Sequence, residues 1–347
     1  MTIDSRYGGI YRFIELWSKL DKKVNPNILH STFKYKNLEE TIYIINQNLS
    51  NKREKKGVYF IYDFFLNFYF YISEGLKNDV IVLHSIYLVI LTPLFRILKK
   101  DIYLISHDYN NPVIFQIISY FLIKRKHIFV APWLKHSFWR SNNNLKNICL
   151  PTNIKISNKL SSVVLRKRKS QGIYKLSLVY IGSLSSIKGL NDLIIFLNQL
   201  EENVLINVIG PTEERYLKRL EKINNAHKII FHGGIYDEIK KKQIMSTSKF
   251  AIIPSRSEVF PFVYSEFLNE GLIPICNSIN VFKELSNRRL HLYSKLSEFK
   301  NCIKWCISLK EEEYINYHEY LKLEFNKFIK HNKNIDSLSM RIINEDF

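Results

Sequence analysis

Short apolar strands alternate with helices in the second half of the chain, and this feature limits the fold most. Runs rich in β-branched residues occur at positions 176–182, 204–210, 228–231, 250–255 and 272–277. Segments with helical spacing of apolar residues separate them, such as GLNDLIIFLNQL after the first run and EERYLKRLEKI after the second. Such alternation predicts a parallel sheet with right-handed crossovers. Ligands of these sheets bind at the carboxyl ends of the strands.

The first half alternates less regularly. Its predicted strands are residues 1–4, 27–32, 79–85, 101–108 and 127–132, with helices after Gly8–Gly9, Leu38 and Leu88. Residues 155–175 are polar and basic, which favours a linker, and the tail from Glu311 is charged and helical. With 347 residues and 46% hydrophobic content, the chain is long enough for two α/β domains.

Charge is distributed unevenly between the halves. Residues 1–175 hold 28 Lys and Arg against 11 Asp and Glu, a net +17, whereas residues 176–347 hold 23 against 21, a net +2. No acidic residue lies between Asp108 and Asp192. This asymmetry predicts an anionic partner for the first half: a membrane surface, a phosphorylated lipid carrier or nucleic acid. A basic surface that only aids solubility is the alternative.

Other sequence features argue against a zinc site and a membrane span. Cys302 and Cys306 are four positions apart but lack a second pair of ligands, so we expect free thiols and no metal. The N-terminus lacks an apolar signal segment, which predicts a cytoplasmic location. Residues 80–98 include Arg96, so we interpret them as a strand leading into a helix, and residues 57–72 as an aromatic amphipathic helix.

Two carboxylates lie in the segment PSRSEVFPFVYSEFLNEGLIPI, residues 254–275. Glu258 follows a predicted strand, and Pro261 is suited to the first position of a helix that contains Glu266 and ends at Gly271. At the start of this helix, from Val259 and Phe260 through Pro261 to Phe262, we expect free backbone N–H groups that favour an anion. The eight-residue separation of the carboxylates suits the two ends of an extended ligand rather than a close catalytic pair.

This segment has a Glu, seven residues and a second Glu, placed between a Pro-Ser pair and a Gly. The pattern resembles that of the retaining glycosyltransferases of family 4. The resemblance implies a GT-B fold, with two Rossmann-like domains whose parallel sheets face across a cleft. It also implies retention of anomeric configuration and no divalent metal or other cofactor. By the same resemblance, Glu258 contacts hydroxyls of the donor sugar and Glu266 holds the ribose of the nucleotide.

A second match is VYIGSLSSIKGL, residues 179–190, which is similar to the family's phosphate-binding turn. The resemblance implies that Gly182 and the following loop bind the donor and that Lys188 neutralises its pyrophosphate, with Ser185 or Ser186 predicted to cap the next helix. Ser183 stands where the family usually has an Arg. Either Arg256 compensates, or donor binding and catalysis are weaker than usual.

Three weaker matches complete the resemblance. In residues 231–255, Gly233 and Gly234 occupy the loop that helps to line the family's base pocket. Gly8 and Gly9, in the opening IDSRYGGIYRF, would let the backbone approach a phosphate or the acceptor. His107 ends a predicted strand where the family often has an active-site His near the donor sugar.

These features together predict four segments: an N-terminal Rossmann-like acceptor domain (1–157), a basic linker (158–174), a Rossmann-like donor domain (175–313) and a C-terminal helical segment that crosses back (314–347). The predicted function is transfer of a hexose-type sugar from a nucleotide-sugar to a saccharide or a lipid-diphosphate-linked acceptor, in cell-surface polysaccharide biosynthesis. The enzyme would be cytoplasmic and peripheral at the inner face of the membrane.

Three other classes of protein remain open. A non-catalytic glycosyltransferase-like subunit would explain Ser183, and a sugar-nucleotide epimerase would act without an acceptor. A nucleic-acid-binding protein would carry a recognisable reader motif, but the sequence offers only the basic runs at 124–126 and 166–169, so we expect no nucleic-acid partner.

Overall fold

The computed structural model describes residues 80–83, 89, 92–99, 101–106, 113–123, 126–137, 150, 156, 174–211, 216, 218, 227–235, 237–286 and 291–332. The chain divides into two compact units, one of Met1–Thr152 with Asn334–Phe347 and the other of Asn153–Lys333. The predicted linker lies outside the described residues apart from Tyr174, so its boundaries stay predictions.

The first unit contains a parallel sheet of three described strands in the order β1-β2-β3. The strands are β1 (Val80–Leu83), β2 (Asp101–Ser106) and β3 (His127–Phe129); the helices are α1 (Thr92–Ile97), α2 (Val113–Leu122) and a 3-10 helix at Pro132–Ser137. The three strands confirm those predicted at 79–85, 101–108 and 127–132. The predicted strands at 1–4 and 27–32, and the predicted helices after Gly8–Gly9, after Leu38 and at 57–72, lie outside the described residues.

Six parallel strands form the sheet of the second unit, in the order β6-β5-β4-β7-β8-β9. They are β4 (Leu176–Ile181), β5 (Val204–Ile209), β6 (Lys228–Phe231), β7 (Phe250–Ile253), β8 (Ile273–Asn277) and β9 (Leu292–Tyr293). Counted within this unit, the order is 3-2-1-4-5-6, that of doubly wound nucleotide-binding sheets. Every residue of β5 and β7 is buried, which explains why these strands are continuous apolar runs.

The described helices of this unit are α3 (Leu190–Asn198), α4 (Glu238–Met245), α5 (Phe262–Asn269), α6 (Asn280–Leu285), α7 (Leu296–Ser308) and α8 (Glu311–His331). The predicted charged tail helix is thus confirmed as α8. Its Tyr314 hydroxyl donates to the carbonyls of Lys249 and Gly271, which precede β7 and β8. Tyr264 of α5 and Phe325 of α8 stack in the core, so α8 packs within the second unit.

Within the part of the chain that the structure describes, no helix combines the length and the apolar character needed to cross a bilayer.

Candidate active site

Two loops meet where the strand order of the second unit reverses. Strands β4 and β7 are the first and fourth strands of this unit along the chain but hydrogen-bonded neighbours in the sheet, and their loops leave the same edge of the sheet. In doubly wound sheets, ligands bind in the crevice at this reversal. The N–H of Arg256, in the loop after β7, donates to the carbonyl of Ile187, in the loop after β4, at 2.9 Å. The two loops therefore form one surface.

Gly189 allows this close approach. It has a left-handed backbone with φ of 74°, and a Cβ at this position would lie 1.7 Å from the carbonyl oxygen of Pro254. Gly189 is the N-cap of α3, and no side chain caps that helix. The predicted cap by Ser185 or Ser186 is therefore wrong, because a turn ending at Gly189 separates both serines from the helix.

An ammonium and a carboxylate meet across the two loops. Lys188 Nζ lies 2.5 Å from Glu258 Oε1, and the same carboxylate oxygen accepts a 2.7 Å hydrogen bond from the hydroxyl of Ser255. Asn277, at the end of β8, donates to the Ser255 carbonyl and so braces the loop. The Glu258 side chain is 11% exposed and that of Lys188 is 31% exposed. Both groups are held in place yet reachable from solvent.

Tyr180, near the end of β4, shapes the loop beside this pair. Its hydroxyl donates to the carbonyl of Ser183 at 2.8 Å. Burial, and secondarily the charge of Glu258, raise the pKa of the Tyr180 phenol. The phenol therefore stays protonated and keeps donating to the loop backbone.

Helix α5 carries the second carboxylate. It begins at Phe262, with Pro261 as its N-cap, one residue later than predicted, and the left-handed Gly271 follows its end as predicted. The expectation of free N–H groups is wrong for Phe262, whose N–H donates to the carbonyl of Phe260. This contact forms because Pro261 turns the chain just before the helix.

Glu266 lies about 6 Å further along the axis of α5 than Phe262, at 1.5 Å per residue. Its carboxylate is 3.2 Å from Lys241 Nζ of α4, and Lys241 also contacts Glu238 at 2.7 Å. The Lys241 and Glu266 side chains are only 12% and 17% exposed. The sequence did not single out Lys241, because it is the middle of three consecutive lysines and only the helix register distinguishes it.

Arg256 is engaged by another acid. Its guanidinium forms two hydrogen bonds, of 2.7 and 2.6 Å, with the carboxylate of Asp192 in the first turn of α3. This partner raises the pKa of Arg256 through hydrogen bonding and charge. Ser183, where the family usually has an Arg, is exposed. Arg256 therefore links the loop after β7 to helix α3. To compensate for Ser183, its guanidinium would have to leave Asp192.

Glycines end the three strands on the other side of the reversal. The Gly182 N–H donates to the Ile209 carbonyl, and the Gly210 N–H to the Gly233 carbonyl. A Cβ on Gly210 would lie 1.9 Å from the Gly182 oxygen, so the strand ends approach through bare backbone. Gly234, which follows, is exposed.

His232 lies beside these glycines and was not singled out by the sequence. Its Nε2 is 2.9 Å from Oδ1 of Asn207 in β5. Burial, and secondarily the charge of Lys240, lower the pKa of His232, which favours a neutral ring. The other predicted site residues, His107, Gly8 and Gly9, lie outside the described residues.

The structure therefore brings Lys188, Glu258 and Ser255 into direct contact and joins Glu266 to Lys241 on the neighbouring helices. Among the described residues, no group of three or more His, Cys, Asp or Glu side chains could hold a metal ion.

Comparison with known proteins finds one family model that matches this region. Residues 165–289 match the model of the family described as glycosyl transferases group 1, and they include both loops, α4 and α5. No curated protein matches the chain in sequence.

Solved structures are similar over most of the chain. HepE from Anabaena in complex with UDP and glucose is 15% identical with a TM-score of 0.57, and the match covers 79% of each chain. Sucrose-phosphate synthase from Thermosynechococcus elongatus is 12% identical with a TM-score of 0.58, covering 80% of this chain and 75% of that one. The lipopolysaccharide outer core galactosyltransferase WaaB is 15% identical with a TM-score of 0.53, covering 75% and 80%. The chain thus has the α/β fold of GT-B glycosyltransferases, and its residues 165–289 match the group 1 family within that fold.

Proposed function

We propose that the chain is a glycosyltransferase that moves a hexose-type sugar from a nucleotide-sugar donor to a saccharide or lipid-linked acceptor. One observation carries the proposal. Lys188 and Glu258 meet at 2.5 Å at the reversal of a 3-2-1-4-5-6 sheet, within the residues that match the glycosyltransferase family. A cation and a hydrogen-bond acceptor at this position suit a ligand that joins a diphosphate to a sugar.

Lys188 acts on the diphosphate in this proposal. When the bond between the sugar and the diphosphate breaks, negative charge grows on the leaving oxygen. A cation already positioned there stabilises the transition state more than the ground state. The bound diphosphate competes with Glu258 for the ammonium, and that competition strengthens as the leaving group gains charge.

In this proposal, the two carboxylates bind the two ends of the donor. Glu258 accepts hydrogen bonds from sugar hydroxyls, and Ser255 holds its carboxylate for this role. Glu266, on α5, accepts hydrogen bonds from the ribose hydroxyls, with Lys241 fixing its side chain. The backbone around Val259, Phe260 and Pro261 receives the phosphates, and the Gly233–Gly234 loop receives the base.

The finer parts of the proposal concern stereochemistry, metal and cellular role. We propose transfer with retention of anomeric configuration, without a divalent metal, in cell-surface polysaccharide biosynthesis at the inner face of the membrane. NMR of the first-formed product would report the anomeric configuration, and full activity after EDTA treatment is the result expected for a metal-independent enzyme. UDP and UDP-glucose are the first ligands to test, because the Anabaena protein was solved with both.

The Glu258→Gln variant tests the function directly. We expect donor turnover to fall on the order of 100-fold, because the charged acceptor for the sugar hydroxyls is lost. UDP lacks the sugar and no longer competes with the Glu258 charge for Lys188, so its affinity, measured by thermal shift or calorimetry, should stay the same or rise. Glu270→Gln is the matched control, since Glu270 lies at the end of α5 and pairs with Lys242.

Each rival function predicts another result. Turnover that Glu258→Gln leaves unchanged would contradict the proposal. If the unmodified protein turned over no nucleotide-sugar in a donor screen, the result would favour the non-catalytic subunit. Ser183 and the pairing of Arg256 with Asp192 are the observations that suggest this alternative. An isomerised nucleotide-sugar formed without an acceptor would favour the epimerase.

A further inference from the structure

Helix α2 of the first unit has its polarity reversed. Its polar residues Gln116 and Ser119 are only 5% and 0% exposed, whereas Val113, Ile114 and Phe121 are 55%, 60% and 57% exposed. A surface helix ordinarily buries its apolar stripe and turns its polar residues to water. Helix α2 does the opposite.

The exposed residues form one continuous face. At 3.6 residues per turn, Val113, Ile114 and Phe121 fall with the half-buried Ile117 and Ile118 within an arc of about 140°. The buried residues Gln116, Ser119 and Ile123 occupy the opposite side. The apolar face therefore runs along the full length of the helix.

Helix α1 extends this face. The Arg96 guanidinium donates to the carbonyl of Leu122, so the end of α1 lies against the end of α2. Ile97, the next residue of α1, is 78% exposed. Exposed apolar side chains thus occur on both of these adjoining helices, which exceeds the single apolar residues common on protein surfaces.

Basic residues border the face. Arg96 and Lys99 are exposed, and in the sequence Lys124, Arg125 and Lys126 follow α2, of which Lys124 and Arg125 lie outside the described residues. Lys126 pairs with Asp101 at 2.6 Å. The helix also begins an acid-free stretch of the chain, since no Asp or Glu lies between Asp108 and Asp192.

The apolar face and its basic border together favour one kind of binding partner over another. A second copy of the chain would bring another first unit, with 22 Lys and Arg against 14 Asp and Glu and so a net charge of +8, against the first, which is unfavourable. An anionic bilayer accepts apolar side chains at the boundary between headgroups and acyl chains, and its negative headgroups attract the basic border.

We propose that α2 lies in the plane of an anionic lipid surface, with Ile114 and Phe121 inserted among the lipids and Ile97 beside them. The inference rests on the membrane association in the proposed function and adds the surface and the lipid chemistry responsible. It is independent of the donor chemistry in the second unit.

A vesicle co-sedimentation experiment on the full chain tests the inference. Vesicles of phosphatidylglycerol and phosphatidylcholine in equal parts are compared with vesicles of phosphatidylcholine alone. The variant Ile114→Ser/Phe121→Ser removes apolar surface without changing charge. The matched control is Ile239→Ser/Leu323→Ser, which alters two residues of the second unit that are 71% and 51% exposed.

We expect the unmodified protein and the control to bind the anionic vesicles equally, and the α2 variant to bind at least about tenfold more weakly. We expect weak binding of every form to phosphatidylcholine alone. Raising the salt concentration should weaken binding to the anionic vesicles, because it screens the basic border.

Equal binding by the α2 variant and the unmodified protein would overturn the inference, as would absence of binding by the unmodified protein. Light scattering that shows a dimer dissociated by the α2 substitutions would assign the face to a second copy and overturn it too. UDP binding by each form serves as the fold check and as the separate test of the donor site. A failed membrane inference with intact UDP binding therefore leaves the proposed function standing.

Discussion

The two units of the molecule use charged residues in opposite ways. Around the sheet reversal of the second unit, acids and bases are paired: Lys188 with Glu258, Lys241 with Glu266, and Arg256 with Asp192. Residues 176–347, which include the whole sheet of this unit, are correspondingly near neutral at +2, whereas the basic segment 153–175 adds +7 to the unit. The first unit carries 22 Lys and Arg against 14 Asp and Glu, a net +8, and its helix α2 exposes an apolar face bordered by basic residues.

This difference teaches what each arrangement can do. Paired groups in partly buried loops fix atoms in place, which a reaction centre requires. Excess cations beside an apolar face fix no single atom, but they attract an anionic surface. We therefore expect the chemistry of the second unit and the location set by the first unit to respond to different substitutions.

The largest expected effect comes from Lys188→Ala. Loss of the cation should lower donor turnover by on the order of 100- to 1,000-fold, because the charge on the leaving diphosphate loses its partner. UDP affinity should fall too, unlike in Glu258→Gln. Release of UDP in a coupled assay measures the turnover, and Lys304→Ala, on the exposed side of α7, is the control.

Vesicle binding by the same variant sharpens the comparison between the units. It should remain as in the unmodified protein. A parallel loss of vesicle binding would show that the two roles are not separable by unit.

Gly189→Ala is expected to act on stability. The new Cβ would meet the Pro254 carbonyl at 1.7 Å, and the backbone has φ of 74°. We expect the free energy of unfolding to fall by about 3 kcal/mol or more, through strain and overpacking. Gly233→Ala is the matched control, because its φ is similar at 72° but nothing lies within 4 Å of the added carbon.

The control should cost about 1 to 2 kcal/mol, from the left-handed conformation alone. Urea denaturation followed by circular dichroism measures both values. Equal losses would show that the two loops separate readily, and the paired, fixed character assigned to the second unit would then be wrong.

Lys241→Met should have the smallest effect. With its mostly buried partner lost, Glu266 would hold the ribose less firmly, and the KM for the donor should rise about tenfold with kcat little changed. Lys242→Met is the control, since Lys242 is 57% exposed and pairs with Glu270 on the same two helices. If kcat changed rather than KM, Lys241 would act in the chemical step, as Lys188 is proposed to do.

The sequence predicted the sheet of the second unit well. All five strands predicted from residue 176 onwards are present, because continuous β-branched runs flanked by helical spacing leave few alternatives. The two-residue strand β9 was missed, since Leu292 and Tyr293 are too few to form a pattern. In the first unit, three predicted strands are confirmed, while the others lie outside the described residues.

The sequence indicated only some of the contacts that the structure shows in the candidate site. The motif spacing indicated Lys188 and Glu258, and the structure joins them. Ser255, Asn277 and Lys241 escaped notice because their roles depend on which strands are neighbours and on helix register. The serine cap failed because the close approach of Pro254 makes Gly189 itself the N-cap.

The reversed polarity of α2 could not be read from its sequence. VIFQIISYFL contains only two polar residues, and an almost entirely apolar helix predicts burial on all sides. Only the packing shows that the two polar residues face inward.

Tyr314 has a consequence for the tolerance of the molecule to change. By binding the carbonyls before β7 and β8, it ties those two strands together at the margin remote from the donor loops. Under the proposed function, a substitution of the exposed Ser183 at the loop margin would alter donor preference while the opposite margin of the sheet stays anchored. One margin of the sheet would then determine specificity, and the opposite margin would keep the fold intact.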